Sequence, residues 1–549
     1  MPRLVQTLPT SDFRGGINYN ADAFQLADNE VSDALNVDFD PRGGFRRRHP
    51  SQTINGGAAI TDALLVTQVP KNIWTFTTSD GATAQIMAQA GNDAAYSTGA
   101  NFTGINPDAG NIGTGIMYAA TANDKCYVVR DANLATWTWT GAAAAVLTDS
   151  HGAYNDNIAA PAGGKFPKAR YVARHRNYMF CAVINEAGTI RRNRLRFSHP
   201  FSDLTGTKGV EDWRTNDWID LPGDGDTITG IVSWQDELIV FKNNSVWVVR
   251  GFGPDSFQLE NISKAVGAVG QRAIAVGEEG VYFFSWPDGL QLYDGKGVRN
   301  LWFQMQPVTD RTLEGTTIDG LQADAGKTAD ITIGYVNNRV WCSMTSTGAS
   351  MNNMTFVFDP ALSKGGGWTR YDLTLGAYTT LHPPGGDRKW YAVCYMVDGE
   401  VHQLENHVLG WRDRMGNADF DVPSNVYTRW YDLGNPALIK RWKHPIFVID
   451  SQANQVLPVS VYRDYDFTSA HRFFDLSVTA IPTVTWGGTT WGGSVWSPDT
   501  VTGAQVIEKG GLLGRATAVA LKIEGPVTVN QPWAINSITW KYIPRKVRS

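Results

Sequence analysis

The sequence predicts an all-β protein: a β-propeller of about seven blades, with a loop-rich N-terminal segment and a β-sandwich-like C-terminal domain. Three observations carry this. Between about Ile73 and Leu404 one pattern recurs, a short apolar strand, a turn of Asn, Asp or Gly, and an aromatic-rich strand. The clearest copies are NDKCYVV (Asn123–Val129), RNYMFCAV (Arg176–Val183), NNSVWVV (Asn243–Val249), EEGVYFFS (Glu278–Ser285), NNRVWCSM (Asn337–Met344) and DRKWYAVC (Asp387–Cys394). Their starts recur about every 50 residues on average, the spacing of four-stranded blades. Stretches such as LIVF and VWVV are continuous apolar runs, as expected of strands covered on both faces. A blade cannot bury both faces alone, so the repeats imply a closed ring.

The elements follow in order. Residues 1–65 read as an N-terminal assembly segment, extended and punctuated by glycine. A short helix is expected from Asp28 through Val31–Leu35, with Asp or Asn as its cap. Residues 66–405 carry the blades. In the fourth, Ile228–Trp234 and Leu238–Lys242 read as strands, and Asn243-Asn244 as a tight hairpin turn tolerant of positive φ. Arg191–Gly230 reads as an elaborated loop between the third and fourth units. Residues 406–549 change grammar. Strands are expected at Val426–Leu433, Ile446–Ile449, Val459–Asp464, Ala516–Glu524 and Ile535–Tyr542, in a β-sandwich-like domain. TWGGTTWGGSVW (Thr485–Trp496) reads as an exposed loop or β-arm.

Composition narrows the function classes. The chain has 549 residues, 42% of them hydrophobic, with 56 glycines and 20 tryptophans. These suit many tight turns and broad strand surfaces. Lys and Arg number 48 against 53 Asp and Glu, a net charge of −5. A dedicated duplex binder is usually clearly basic. Cys126, Cys181, Cys342 and Cys394 are far apart and show no metal-type spacing, which predicts buried, reduced thiols in a reducing compartment. No secretory h-region or membrane-length apolar run is visible, so a soluble protein made in a cytoplasm is expected.

Catalytic patterns are weak. There is no GxSxG, HExxH, Walker loop or dinucleotide fingerprint. Gly365-Gly366-Gly367 precedes Trp368 in a strand context, and a phosphate cradle needs a helix N-terminus. Ser79-Asp80-Gly81 is a fragment of an aspartate box and reads as a turn. His402, Glu405 and His407 are a thin candidate for a metal site. Asp224 with Asp226, and Glu278 with Glu279, are carboxylate pairs in turn sequences, where solvation explains them. No catalytic residue, metal or cofactor is therefore assigned. Basic clusters occur at Arg46–Arg48, at Arg170, Arg174 and Arg176, at Arg191, Arg192, Arg194 and Arg196, and at Arg545, Lys546 and Arg548. They read as solvated faces or subunit salt bridges, with phosphate contact as the second reading.

Several blocks carry a resemblance. FRGGIN (Phe13–Asn18) and LADNEVSDALNVDFDPRGGFRRR (Leu26–Arg48) open the chain. RLRFSHPFSD (Arg194–Asp203) and GDTITGIVSWQDELIVFKNNSVWVVRG (Gly225–Gly251) lie in the middle. WYDLGNPALIKRWKHPIFVID (Trp430–Asp450), VYRDYD (Val461–Asp466) and WAINSITWKYIPRKVR (Trp533–Arg548) lie towards the end. Together they resemble the tail nozzle (tail tubular) proteins of short-tailed bacteriophages. The resemblance implies a propeller with added β domains, assembled as a hexameric ring below an adaptor ring, around the DNA exit channel. It implies a virion structural protein that retains genome DNA and passes it during ejection, with tail fibre or tail tip proteins as further neighbours and only transient, non-specific DNA contact. Residues Ile73–Trp139 are rich in Ala, Gly and Thr and depart from that pattern, as does the Trp-Gly-Gly segment.

The expected assembly surfaces are Arg14, Gly15, Gly16, Arg46, Arg47, Arg48, Arg545, Lys546 and Arg548, together with the C-terminal domain. An alternative class is a tail or baseplate propeller that binds a host cell-surface glycan, with Trp486, Trp491 and Trp496 stacking on sugar rings. A third is a glycan-degrading propeller using Asp224 and Asp226.

Overall fold

A computed structural model describes residues 5–53, 70–98, 102–106, 115–142, 148–149, 166–200, 209–223, 225–310, 321–363, 365–381, 390–395, 401–405, 412–415, 418–451, 454–479, 505–508, 512–526 and 532–544. It is an all-β propeller. Five self-contained four-stranded sheets follow one another, opening at Pro70–Thr77, Tyr118–Ala122, Ala169–His175, Ile228–Trp234 and Ile274–Val276. Each is an antiparallel meander in sequence order. Their first strands lie side by side in turn around the ring.

The expectation of about seven separate blades is corrected to five. Two further meanders begin at Thr332–Val336 and Leu375–Leu381, but neither stands alone. The first continues from Gly367–Tyr371 through Gly16–Ile17 into Glu30–Leu35, Asn425–Thr428, Val519–Glu524, Gln455–Arg463 and Arg472–Val478, a ten-stranded sheet. The second continues from Val401–Gln403 through Gln52–Thr53 into Asp413–Met415 and Ala418–Phe420, a six-stranded sheet. Leu375–Leu381 packs along Pro70–Thr77.

The N-terminal segment therefore supplies strands to several sheets. Gln6–Thr10 pairs with Trp533–Pro544, and Phe45–Arg47 pairs with both Val37–Phe39 and Trp533–Pro544, in an eight-stranded sheet. That sheet faces the ten-stranded one over a shared core. Phe45, Trp442, Phe447, Trp533 and Trp540 on one side belong to the same buried cluster as Val426, Val459, Val461 and Leu521 on the other. Trp442 and Trp540 meet edge-on at 5.5 Å, a geometry that aromatic quadrupoles favour.

The helix expected after Asp28 is a strand, Glu30–Leu35. Its neighbours, Gly16–Ile17 on one side and Asn425–Thr428 on the other, come from distant sequence, so tertiary pairing overrides local propensity. Arg191–Gly230 is not all loop, because Thr189–Phe197 and Trp218–Asp220 are the outer strands of the third sheet. Positive-φ hairpin turns occur at Asn123-Asp124 and Asn337-Asn338, but not at Asn243-Asn244. There Asp226 holds the turn, accepting from Asn243 Nδ2 at 2.7 Å and Asn244 N at 2.9 Å. Cys126, Cys181 and Cys342 are buried, and burial pushes the Cys126 thiol up to about 12. No helix among the described residues is long and apolar enough to cross a membrane.

Candidate assembly joint

The glycines of FRGGIN sit where backbones nearly touch. Gly16 has φ +66°, and a Cβ there would stand 2.5 Å from the Trp368 carbonyl oxygen. Only glycine accepts that conformation at that distance. At Gly15 a Cβ would meet Glu30 Cγ at 2.6 Å. This close approach lets Gly16–Ile17 slot in parallel between Gly367–Tyr371 and Glu30–Leu35, which joins propeller to C-terminal sheet. Arg14 lies beside them and is spent locally, forking onto Asp12 at 2.8 and 3.0 Å.

The triple arginine splits three ways. Arg46 is exposed and lies opposite Asp38 in the strand pair. Arg47 is buried, and burial with Arg48 alongside pulls its guanidinium down to about 10. Arg46 and Arg47 line a cleft of about 230 Å³ with Asp40, Asp450 and Trp533. Arg48 is also buried. Its Nη1 donates to Asp413 Oδ1 at 2.9 Å, its Nη2 to Asp413 Oδ2, and its Nε to Asn36 Oδ1 at 2.9 Å. Asn36, at φ +55°, donates its amide to the Pro423 carbonyl at 2.6 Å. A buried charge needs such complete partnering.

A second network adjoins the first. Arg48 lies over the Tyr371 ring at 5.6 Å, and the Tyr371 hydroxyl donates to Asp38. Arg339 Nη1 donates to Asp38 Oδ1 at 2.8 Å, while its other arm pairs with Glu405. Burial would raise the Asp38 carboxyl, but Arg339, with Arg46, outweighs it and holds it at about 2. On the next strand position Arg370 pairs with Asp33, which also accepts from the Tyr19 hydroxyl at 2.6 Å. Gly15, Gly16 and Arg48, expected on an assembly surface, thus fasten one part of the chain to another, and Arg47 is buried. Arg545, Lys546, Arg548, Trp486, Trp491 and Trp496 lie outside the described residues.

The remaining candidates are also structural. His402 is buried, with Nδ1 3.1 Å from Ser51 Oγ, and Glu405 is committed to Arg339 and Asn337. His407 and Asp224 lie outside the described residues. No group of three metal-type side chains occurs among the described residues. Glu279 accepts from the Tyr282 hydroxyl at 3.3 Å at its turn. In the third sheet Glu186 gathers Arg194 at 2.8 Å and Arg196 at 2.6 Å.

One residue that sequence reading missed is Arg272. It precedes the Ile274–Val276 strand and donates to the Lys71 carbonyl at 3.0 Å and the Ala329 carbonyl at 2.8 Å, with the Gly376 carbonyl at 3.5 Å. It thereby links three sheets far apart in sequence. No pattern around Gln271-Arg272 announces this, because all three acceptors are backbone oxygens.

No protein-family model and no curated protein matches the chain. Among solved structures it is similar to virginiamycin B lyase from Staphylococcus aureus, at 12% identity and TM-score 0.37, over 62% of this chain and 94% of that one. BamB from Moraxella catarrhalis gives 10% identity and TM-score 0.36, over 67% and 95%. The Pan2 WD40 domain from Neurospora crassa gives 8% and 0.35, over 67% and 98%. At these identities the likeness is one of fold alone.

Proposed function

We propose that this chain is a bacteriophage virion structural protein, a tail nozzle subunit that acts by assembly. Several copies, six by the resemblance, form a ring around the DNA channel, retain the genome and pass it during ejection. The observation that carries the reading is where the resembling blocks sit. Of the seven resembling blocks, Phe13–Asn18, Leu26–Arg48, Trp430–Asp450 and Trp533–Arg548 are scattered through the sequence, yet their described residues pair with one another at one joint, while Arg194–Asp203 and Gly225–Gly251 fall in the third and fourth sheets. Residues there are invested in fastening sheets, as a load-transmitting scaffold requires, and the buried charges are paired rather than held for catalysis.

The finer architecture in this reading is a seven-unit ring. The ten- and six-stranded sheets contribute the sixth and seventh units, Leu375–Leu381 closes on Pro70–Thr77, and Gln52–Thr53 completes the last unit from the N-terminal side. In such a ring Arg272 of the fifth unit crosses the axis to reach the first and seventh. A duplex ~20 Å wide, set by its groove geometry, then passes through the space enclosed by several copies, not along one propeller axis. The near-neutral charge fits a conduit, since each fixed phosphate contact would hold the DNA back. An adaptor ring above and tail fibre or tail tip proteins below are the neighbours this reading assigns.

Particles assembled without the chain test it. They are expected to package DNA and then lose it before infection, with retention restored by supplying the chain. Particles that keep and eject DNA normally without it would rule the reading out.

A further inference from the structure

Two surface patches of opposite charge stand on different sheets of the molecule. The first lies where the N-terminal segment crosses the ten-stranded sheet. Phe24 is 53% exposed and meets Tyr465 edge-on, with ring centroids 6.1 Å apart. Tyr465 rests on Trp430 at 5.3 Å. It is presented by a turn in which Asp464 and Tyr465 both have positive φ, +53° and +67°, a conformation few non-glycine residues adopt. Asp464 fixes that turn by accepting from Thr517 N at 2.7 Å and Thr517 Oγ1 at 2.8 Å. Asp22, Asp432 and Asp466 complete an acidic rim. Of the cations nearby, Arg429 pairs with Asp28, while Arg463 and Arg472 donate to the Arg515 and Leu512 carbonyls.

The second patch is the outer hairpin of the third sheet. Ile190 and Trp218 are 37% and 39% exposed, and Arg194 lies 3.8 Å over the Trp218 ring. Arg191 and Arg192 are exposed beside them. Glu186 and Asp220 are the carboxylates in reach, and both already serve Arg194. Three arginines thus face two acids.

Their placement follows from the sheet order. From the ten-stranded sheet the third sheet is reached through the fifth and fourth one way, and through the six-stranded sheet, the first and the second the other way. The acidic patch sits at the turn between Gln455–Arg463 and Arg472–Val478 and the basic one on Thr189–Phe197 and Trp218–Asp220, in sheets that share no strand pairing. We infer that they meet between copies, the acidic Phe24–Tyr465 patch of one copy seating on the basic Thr189–Phe197 hairpin of the next. Two unlike surfaces that pair between copies give a head-to-tail contact, which closes into a ring when its rotation allows. Apolar side chains inside a charged rim are the usual composition of such contacts, with the charges setting register and encounter rate. The inference rests on the ring reading above and names the surfaces that make the ring.

Sedimentation velocity of the full chain, at about 50 mM and about 500 mM salt, tests it. The wild type is expected to self-associate, more strongly at low salt. Arg191→Glu with Arg192→Glu, and separately Asp22→Lys with Asp466→Lys, should each weaken association at least about tenfold. An equimolar mixture of the two variants should restore it, because each then offers the charge the other lacks. Phe24→Ser keeps the turn and the charges and should weaken association to a similar degree. Variants that associate like wild type overturn the patches while leaving the ring reading in place. A wild type monomeric at every concentration and salt also overturns them, and the virion reading is then judged separately by the DNA-retention experiment.

Discussion

Arg48 and Asp413, 365 residues apart in sequence, form a buried two-point ion pair with one arm at 2.9 Å. The pair ties the end of the N-terminal segment to the strand that follows the last propeller meander, and the Ser51 amide adds a bond to the same carboxylate at 2.8 Å. Removing the cation leaves Asp413 buried without its counter-charge. Arg48→Met is expected to cost about 3–5 kcal/mol, read as a lower denaturant midpoint. Arg48→Lys should recover little, since an ammonium cannot fork onto the carboxylate and reach Asn36 together.

Asp38 gives an acid-side signature. Its carboxyl sits at about 2 in the folded protein, below the ordinary carboxylate range. Its contribution is fully present above pH about 4 and is lost as pH falls through about 2, amounting to about 2 kcal/mol. Arg339→Met removes the main cause. Acid unfolding of that variant should begin at higher pH than in the wild type, and stability at neutral pH should fall as well. An unchanged acid transition would disprove the assignment.

His175 works from the opposite side. It is 1% exposed, with Nδ1 2.8 Å from Ser233 Oγ, and burial, reinforced by Arg176, depresses it to about 4. Below pH about 6.5 the unfolded imidazole takes a proton that the buried one refuses until about 4. Stability should therefore fall across that window, by about 3 kcal/mol, and level off beneath it. His175→Asn should flatten this part of the stability–pH curve, which urea titrations at successive pH values will measure.

Arg272 should act as a latch on the propeller. Arg272→Met removes bonds to the Lys71 and Ala329 carbonyls and leaves the Lys71 acceptor in a partly buried setting. A loss of about 2–3 kcal/mol is expected. Hydrogen exchange should show the largest added opening at Pro70–Thr77, because that strand joins the ends of the ring. Uniform destabilisation without that focus would argue against a latch.

The repeated hairpins were legible because each is local. Asn123-Asp124 and Asn337-Asn338 fall in turns of the repeat, and the aromatic strands after them fill the predicted places, although the positive φ expected at Asn243-Asn244 is found instead at these two turns. The fusion of two meanders into larger sheets was not legible, because it depends on pairings such as Gly16 with Trp368 that local patterning does not encode. Glu30–Leu35 was misread for the same reason. Its Asp28-Asn29 start mimics a helix cap, and the partners that make it a strand come from residues 16–17 and 425–428. Arg46–Arg48 read as one basic cluster, yet strand alternation sends Arg46 to solvent and Arg47 inward, while Arg48 turns to Asp413.

Electron microscopy of the purified chain, alone and with its tail neighbours, tests the central claim most directly. The account predicts closed rings of several copies, with a central opening wide enough for duplex DNA, ~20 Å or more. Isolated propellers that never close into rings, at any concentration and with any tail neighbour present, would contradict it.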